Sequence, residues 1–157
     1  MYSNCELYLF LRNIYDYEEG IYDIIKDLVL FKFRSSQELK DAVNIWCGNR
    51  EIGMKLYGHI SLWNTSMITD MSELFIYKYY FNDDINDWDV SNVENMYGLF
   101  CKAKSFNQDI SGWNTSKVEE MSYMFSGAES FKYDLSNWNT SSVEEMKNMF
   151  EICTILE

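Results

Sequence analysis

Large apolar residues return along most of this chain with a fixed period. Trp63, Trp88, Trp113 and Trp138 are 25 residues apart, and the same step links Met71, Met96, Met121 and Met146, then Phe75, Phe100, Phe125 and Phe150. A polar column, Ser66, Ser91, Ser116 and Ser141, keeps the same register. Softer columns follow: Ile68, Val93, Val118 and Val143 are β-branched, Leu56, Phe81, Phe106 and Phe131 are large, and Ile60, Ile85, Ile110 and Leu135 are aliphatic. Self-similarity at a period of 20–50 residues marks a repeat architecture in which each copy buries its apolar face against its neighbour.

Within one copy the pattern predicts a strand, a turn and a helix. Ser91 with Glu94, Ser116 with Glu119 and Ser141 with Glu144 have the spacing of a capping box, which satisfies free amides at a helix start; the first copy has Ser66 with Thr69 and only half of the device. At roughly 100° per residue, Val118, Met121, Met124, Phe125 and Ala128 fall on one side of such a helix and Glu119, Glu120, Ser122, Tyr123 and Ser126 on the other. Asp109 to Trp113 is too short for a second helix and reads as a strand. The predicted fold is α/β: a right-handed solenoid of four 25-residue strand-turn-helix repeats over residues 58–157, behind an N-terminal helical cap region over residues 1–57. In the cap, Ser35 to Glu38 is another capping box, and Leu39, Ala42, Val43 and Trp46 predict a helix from about 36 to 47. Residues 1–33 are less regular: Ile21, Ile24, Ile25 and Leu28 suggest a helix, and the run CELYLFL suits helix or strand. Leu156 falls where a fifth copy would begin, and no terminal cap is recognisable, which predicts pairing through that end.

The motif F-N-x-D-I-S-x-W-[ND]-x-S-x-V-x-x-M-x-x-M-F resembles the BspA-type leucine-rich-repeat family, a family of unknown molecular function found in bacterial surface proteins, large DNA viruses and protists. YGHISLWNTSMITDMSELF (residues 57–75) is similar to its first repeat, SSQELKDAVNIW is similar to the helix before it, and the likeness spans about residues 35–155. The resemblance implies a leucine-rich-repeat-like fold and a binding or adhesive surface.

Composition narrows the function. The 157 residues are 47% hydrophobic and carry 13 basic against 25 acidic groups, a net charge of -12, which opposes binding to nucleic acid or anionic membrane. Residues 1–57 hold 7 basic and 9 acidic groups and residues 58–157 hold 6 and 16, so 10 of the 12 net negative charges lie on the repeats and favour a protein partner with a basic surface. Residues 1–30 have no basic start, and acidic residues interrupt their apolar runs, so neither a signal peptide nor a membrane span is expected; the expected setting is cytoplasmic, or a virion or host cell for a virus-encoded copy. Cys5, Cys47, Cys101 and Cys153 lack metal-ligand spacing and read as free thiols, with Cys101 and Ser126 expected on the polar helix face.

One column invites a binding role. Stacking would line up His59, Asp84, Asp109 and Asp134 about 5 Å apart, with His59 beside Asp84 and its protonation favoured. The weightier account makes each side chain an acceptor for backbone amides of its own turn. The run DDINDWD (residues 83–89) lacks the glycine and distal glutamate of a calcium loop. No cofactor, metal or catalytic group is predicted. The expected function is a non-enzymatic interaction module that binds a protein through its acidic repeated surface, the alternative being a building block that self-associates through its C-terminal end.

Overall fold

The computed structural model describes residues 31–151, so the readings for residues 1–30, Cys153 and Leu156 lie outside the described residues. Two α-helices open the described chain: α1, Ser36–Gly48, and α2, Arg50–Tyr57. Ser35 Oγ accepts the Glu38 amide at 3.2 Å, and Glu38 reaches back to the Arg34 amide at 2.8 Å. Leu39, Ala42, Val43 and Trp46 are the buried stripe of α1. Gly48 is the last residue of α1 and does not end the helical region, because Asn49 Oδ1 accepts the Ile52 amide and starts α2 within one residue.

From residue 58 the four copies stack in their 25-residue register, but not as strand-turn-helix units. Beyond a short 3-10 turn at Ile60–Leu62, the described repeats contain no helix and no sheet, only isolated parallel bridges joining Asn64 to Lys32, Asp70 to Asn95, Asn95 to Glu120 and Glu120 to Glu145. This overturns the predicted leucine-rich-repeat-like solenoid. Each layer is a loop of consecutive tight turns.

Hydrogen bonding shows why no helix forms. The amides of Met71, Glu73, Phe75 and Tyr77 donate to the carbonyls of Asn95, Tyr97, Leu99 and Cys101 in the next layer, at 2.8–2.9 Å. The amides between them, those of Leu74, Ile76 and Lys78, close local turns on the carbonyls of Met71, Glu73 and Phe75. The same alternation repeats from Met96 to Glu120 and from Met121 to Glu145. Two positions four residues apart in the layer enter the left-handed region: Glu73, Gly98, Tyr123 and Asn148 form one such column (φ 54–59°), and Tyr77, Lys102 and Gly127 form another. Only two of these seven are glycine, so the other five bear an αL cost of roughly 1–2 kcal/mol each that the bonds between layers offset.

A turn every three or four residues buries Val118, Met121, Met124 and Phe125 just as a helix would, which is why the apolar period misleads. The polar side of the predicted helix is where the two differ. Ser122 and Ser126, expected outside with Cys101, are buried, and so is Cys101; Ser122 Oγ accepts the Lys147 amide and Ser126 Oγ donates to the Glu151 carbonyl, both in the next layer. The predicted capping boxes are dismantled in the same way, since the amides of Glu94, Glu119 and Glu144 donate to Thr69, Glu94 and Glu119 of the preceding layer.

Aromatic ladders set the layer spacing. Phe75, Phe100, Phe125 and Phe150 stack with centroids 5.4–5.6 Å apart, and Phe81, Phe106 and Phe131 stack 5.8–5.9 Å apart. Packed helices need 8–10 Å between axes, so this spacing excludes them. Leu56, placed by the sequence pattern in the Phe81 column, lies instead on α2 and is 53% exposed. The indole of each later Trp donates one layer back: Trp88 to the Ile60 carbonyl, Trp113 to Ile85 and Trp138 to Ile110, at 2.8–3.3 Å. Trp63, in the first layer, bonds Gly58 and packs edge-on against Trp46 of α1, while Phe33 and Phe31 bond the backbone of Asn64.

Trp113→Phe keeps a buried ring and removes one of the two donors on the Ile85 carbonyl, which retains the Trp88 amide at 3.1 Å. The expected loss is about 0.5–1.5 kcal/mol in urea unfolding, and an unchanged midpoint would show that the indole bonds do not hold the layers.

Candidate interaction surface

The turns that expose each copy to solvent are fastened by their own side chains. Asp84 Oδ1 accepts the Asn86 amide, Asp109 Oδ1 the Ser111 amide and hydroxyl, and Asp134 Oδ1 the Ser136 amide, at 2.7–3.1 Å. His59 takes the same place in the first copy, its Nδ1 accepting the Ser61 amide at 3.3 Å. A second row, Asn64, Asp89, Asn114 and Asn139, accepts the amides of the invariant serines Ser66, Ser91, Ser116 and Ser141 at 3.0–3.2 Å. A third, Asp70, Asn95 and Glu120, accepts the amides of Ser72, Tyr97 and Ser122 at 2.6–2.9 Å. Side chains used this way mimic a backbone turn.

The four sequence-predicted site residues therefore share one row, each directed to its own loop. The Ser111 hydroxyl and then its amide hold the Asp109 carboxyl below the usual range. His59 differs from expectation: burial pushes its pKa down, against the upward pull of Asp83 and the weaker one of Asp84, so protonation is disfavoured. Its ring lies edge-on to Trp46 at 5.4 Å. Among the described residues no group of three or more His, Cys, Asp or Glu is placed to hold a metal ion.

Two edges of the stack remain chemically distinctive. On one, the exposed residues Glu94, Glu119 and Glu144 follow one another in direct backbone register, beside Asp70, Glu120 and Glu145. Lys147 meets Glu145 at 3.2 Å, and Tyr97 and Tyr123 pack edge-on alongside at 5.7 Å. Partial burial, then Tyr123 and Glu73, push the Tyr97 phenol up.

The other edge was not foreseen from the sequence. There α1 and the chain just after it meet the last turn of the first layer around a hollow of about 420 Å³. Asp83 ties the two parts together: both its oxygens bond Arg50, and Oδ2 also accepts the Trp46 indole N–H at 2.9 Å. Arg50 lies over the Trp46 ring at 5.0 Å, and Lys78 donates to Asn44 at 2.7 Å. Partial desolvation pushes the Cys47 thiol up, against the opposing pull of Lys78. A signal for this edge was present: the copies read IYKYYF, CKAKSF and SGAESF at residues 76–81, 101–106 and 126–131, and diverge most where stacking dictates least.

Stacked layers, self-fastened turns and two charged edges define a protein built from repeated 25-residue layers. The chain belongs to the family described as Mycoplasma protein of unknown function, DUF285, whose model matches residues 37–157, and this replaces the assignment to the BspA-type leucine-rich-repeat family suggested by the motif. No curated protein and no solved structure matches the chain.

The chain has one histidine, so its ring gives a single titration signal. Its midpoint is expected below the ordinary value of about 6.5. Because the unfolded chain then binds the proton more readily than the folded one, stability falls as pH drops through the unfolded midpoint, and His59→Gln removes that component. A midpoint at or above the ordinary value would refute the burial argument.

Proposed function

We propose that this protein is a non-enzymatic interaction module that binds a basic protein surface along the Glu94, Glu119 and Glu144 row. The observation that carries the reading is the registered exposure of these three carboxylates on a backbone fixed by layer-to-layer bonds. Like charges repeated at strand spacing, about 5 Å, repel one another, and a cationic partner relieves that repulsion. A rigid display also loses little conformational entropy on binding. The Asp84, Asp109 and Asp134 carboxylates are engaged by their own turns and contribute general negative potential to the same reading.

No helix among the described residues is long and apolar enough to cross a membrane. A cytoplasmic setting is part of the proposal, supported by the free thiol of Cys47, which suits a reducing compartment.

Hexalysine, titrated by calorimetry, is the probe for the acidic row. E94Q/E119Q/E144Q is expected to weaken binding about tenfold at low salt, and equal affinities for variant and parent would end this reading.

A second reading, self-association through the fourth layer, is favoured by one observation. Phe150 is 63% exposed and Met146 44%, whereas their equivalents Phe100, Met96, Phe125 and Met121 are buried. If that face pairs with a second copy, sedimentation shows a concentration-dependent dimer that Phe150→Glu abolishes; a monomer at all concentrations excludes it.

A further inference from the structure

We infer that the hollow beneath α1, continued along the Lys102 and Lys104 edge, docks an extended acidic segment of a partner protein bearing bulky apolar residues. This site is separate from the acidic row and opposite to it in charge. The whole chain carries 25 carboxylates against 13 cationic side chains. Here the balance inverts, with Arg50, Lys78, Lys102 and Lys104 beside Asp83, Glu129 and Glu151. Two of those carboxylates are already committed, Asp83 to Arg50 and to the Trp46 indole, and Glu129 to Lys104 at 2.9 Å.

Lys78 and Lys102 carry the argument. Among the described residues neither ammonium meets a carboxylate: Lys78 rests on the amide oxygen of Asn44 at 2.7 Å, and Lys102 lies over the Tyr77 ring at 5.1 Å. A neutral acceptor and an exposed π-face hold a cation less firmly than a carboxylate does, so an incoming acidic side chain exchanges favourably with both.

The shape fits a short extended segment. Trp46 and Phe81 line the first hollow, of about 420 Å³, while Phe125 and Phe131 line a second, of about 570 Å³. Tyr79 borders both, so the two adjoin across one residue, and each is of a size that receives apolar side chains. Tyr80, 93% exposed, stands at the rim of the first. Aromatic anchors with cations beside them are the composition that interfaces favour. Stacking does not demand these residues, since the equivalents of Tyr77, Lys78, Tyr79 and Tyr80 are Lys102, Ala103, Lys104 and Ser105 in the next copy and Gly127, Ala128, Glu129 and Ser130 after that. A nucleic acid is disfavoured as occupant: its dense phosphate charge meets the -12 of the whole chain, whereas a few carboxylates spaced by apolar residues match the cations and the hollows.

Fluorescence anisotropy with a labelled Glu-Glu-Phe-Glu-Glu-Phe peptide tests the site on the full chain. K78Q/K102Q is expected to weaken binding about tenfold, as the loss of two exposed charge pairs would. K117Q/K132Q, at lysines that line neither hollow, and E94Q/E119Q/E144Q leave it unchanged, which separates this site from the acidic row. Absence of binding, or an equal loss in the two lysine pairs, overturns the proposal. So does tighter binding of a single-stranded oligothymidylate through Lys78 and Lys102. Thermal melting of each variant confirms that the fold is intact.

Discussion

The phenylalanine rings of one copy lie 5.4–5.9 Å from those of the next, and a planar side chain in contact on both faces leaves no slack in that distance. The backbone has to conform. At this spacing a layer is one chain thick, so its amides and carbonyls must be satisfied within the layer or by the layer directly above or below. The alternation of forward and local bonds along residues 71–78 meets that requirement in a segment whose apolar pattern alone suggests a helix. The left-handed residues are part of the same solution, since they turn alternate amides from the local carbonyls to those of the neighbour.

The same constraint decides which side chains remain free for chemistry. Short polar residues at the bends are consumed by their own backbone, and three rows of them run down the stack. Buried serines are consumed between layers. What is left for a partner is the outer atoms of residues that neither the core nor the bends require. The glutamate row and the lysine-tyrosine edge both arise at such positions, and they carry opposite charge at different places on the loop.

How much of this the sequence disclosed depends on the distance over which each rule acts. The 25-residue register was legible because stacking makes every core position recur identically, as Trp63, Trp88, Trp113 and Trp138 do. The start of α1 was legible because Ser35 and Glu38 act within four residues. Local conformation inside a copy was not, because Met121, Met124 and Phe125 face inward both on a helix and on a series of tight turns; only buried Ser122 and Ser126 distinguish the two, and their partners lie one layer away. Helix α2 escaped notice because Gly48 reads as a stop, while Asn49 restarts the helix at once. The sequence pattern puts His59, Asp84, Asp109 and Asp134 in one row and favours acceptors for their own turns, whereas the packing of His59 on Trp46, thirteen residues away, lies outside any repeat argument. Asp83, which joins the helices to the first layer through Arg50 and Trp46, has Gln108 and Tyr133 in its column and so falls outside any repeat argument.

The forward donation of amides from one layer to the next gives the stack a direction. Met71, Met96 and Met121 all send their N–H groups the same way, so the two faces of any internal layer are unlike: one offers donors along this segment and the other acceptors. Each junction therefore fits every other, and a whole copy can be spliced in or out between existing ones without redesigning its neighbours. Loss of half a copy would set the tryptophan column against that of Phe75 or Ile76 and break the register of every bond beyond it. Length in such an architecture changes by integers, which lets the reach of its two charged margins be adjusted in fixed increments while the cap around Trp46 stays as it is.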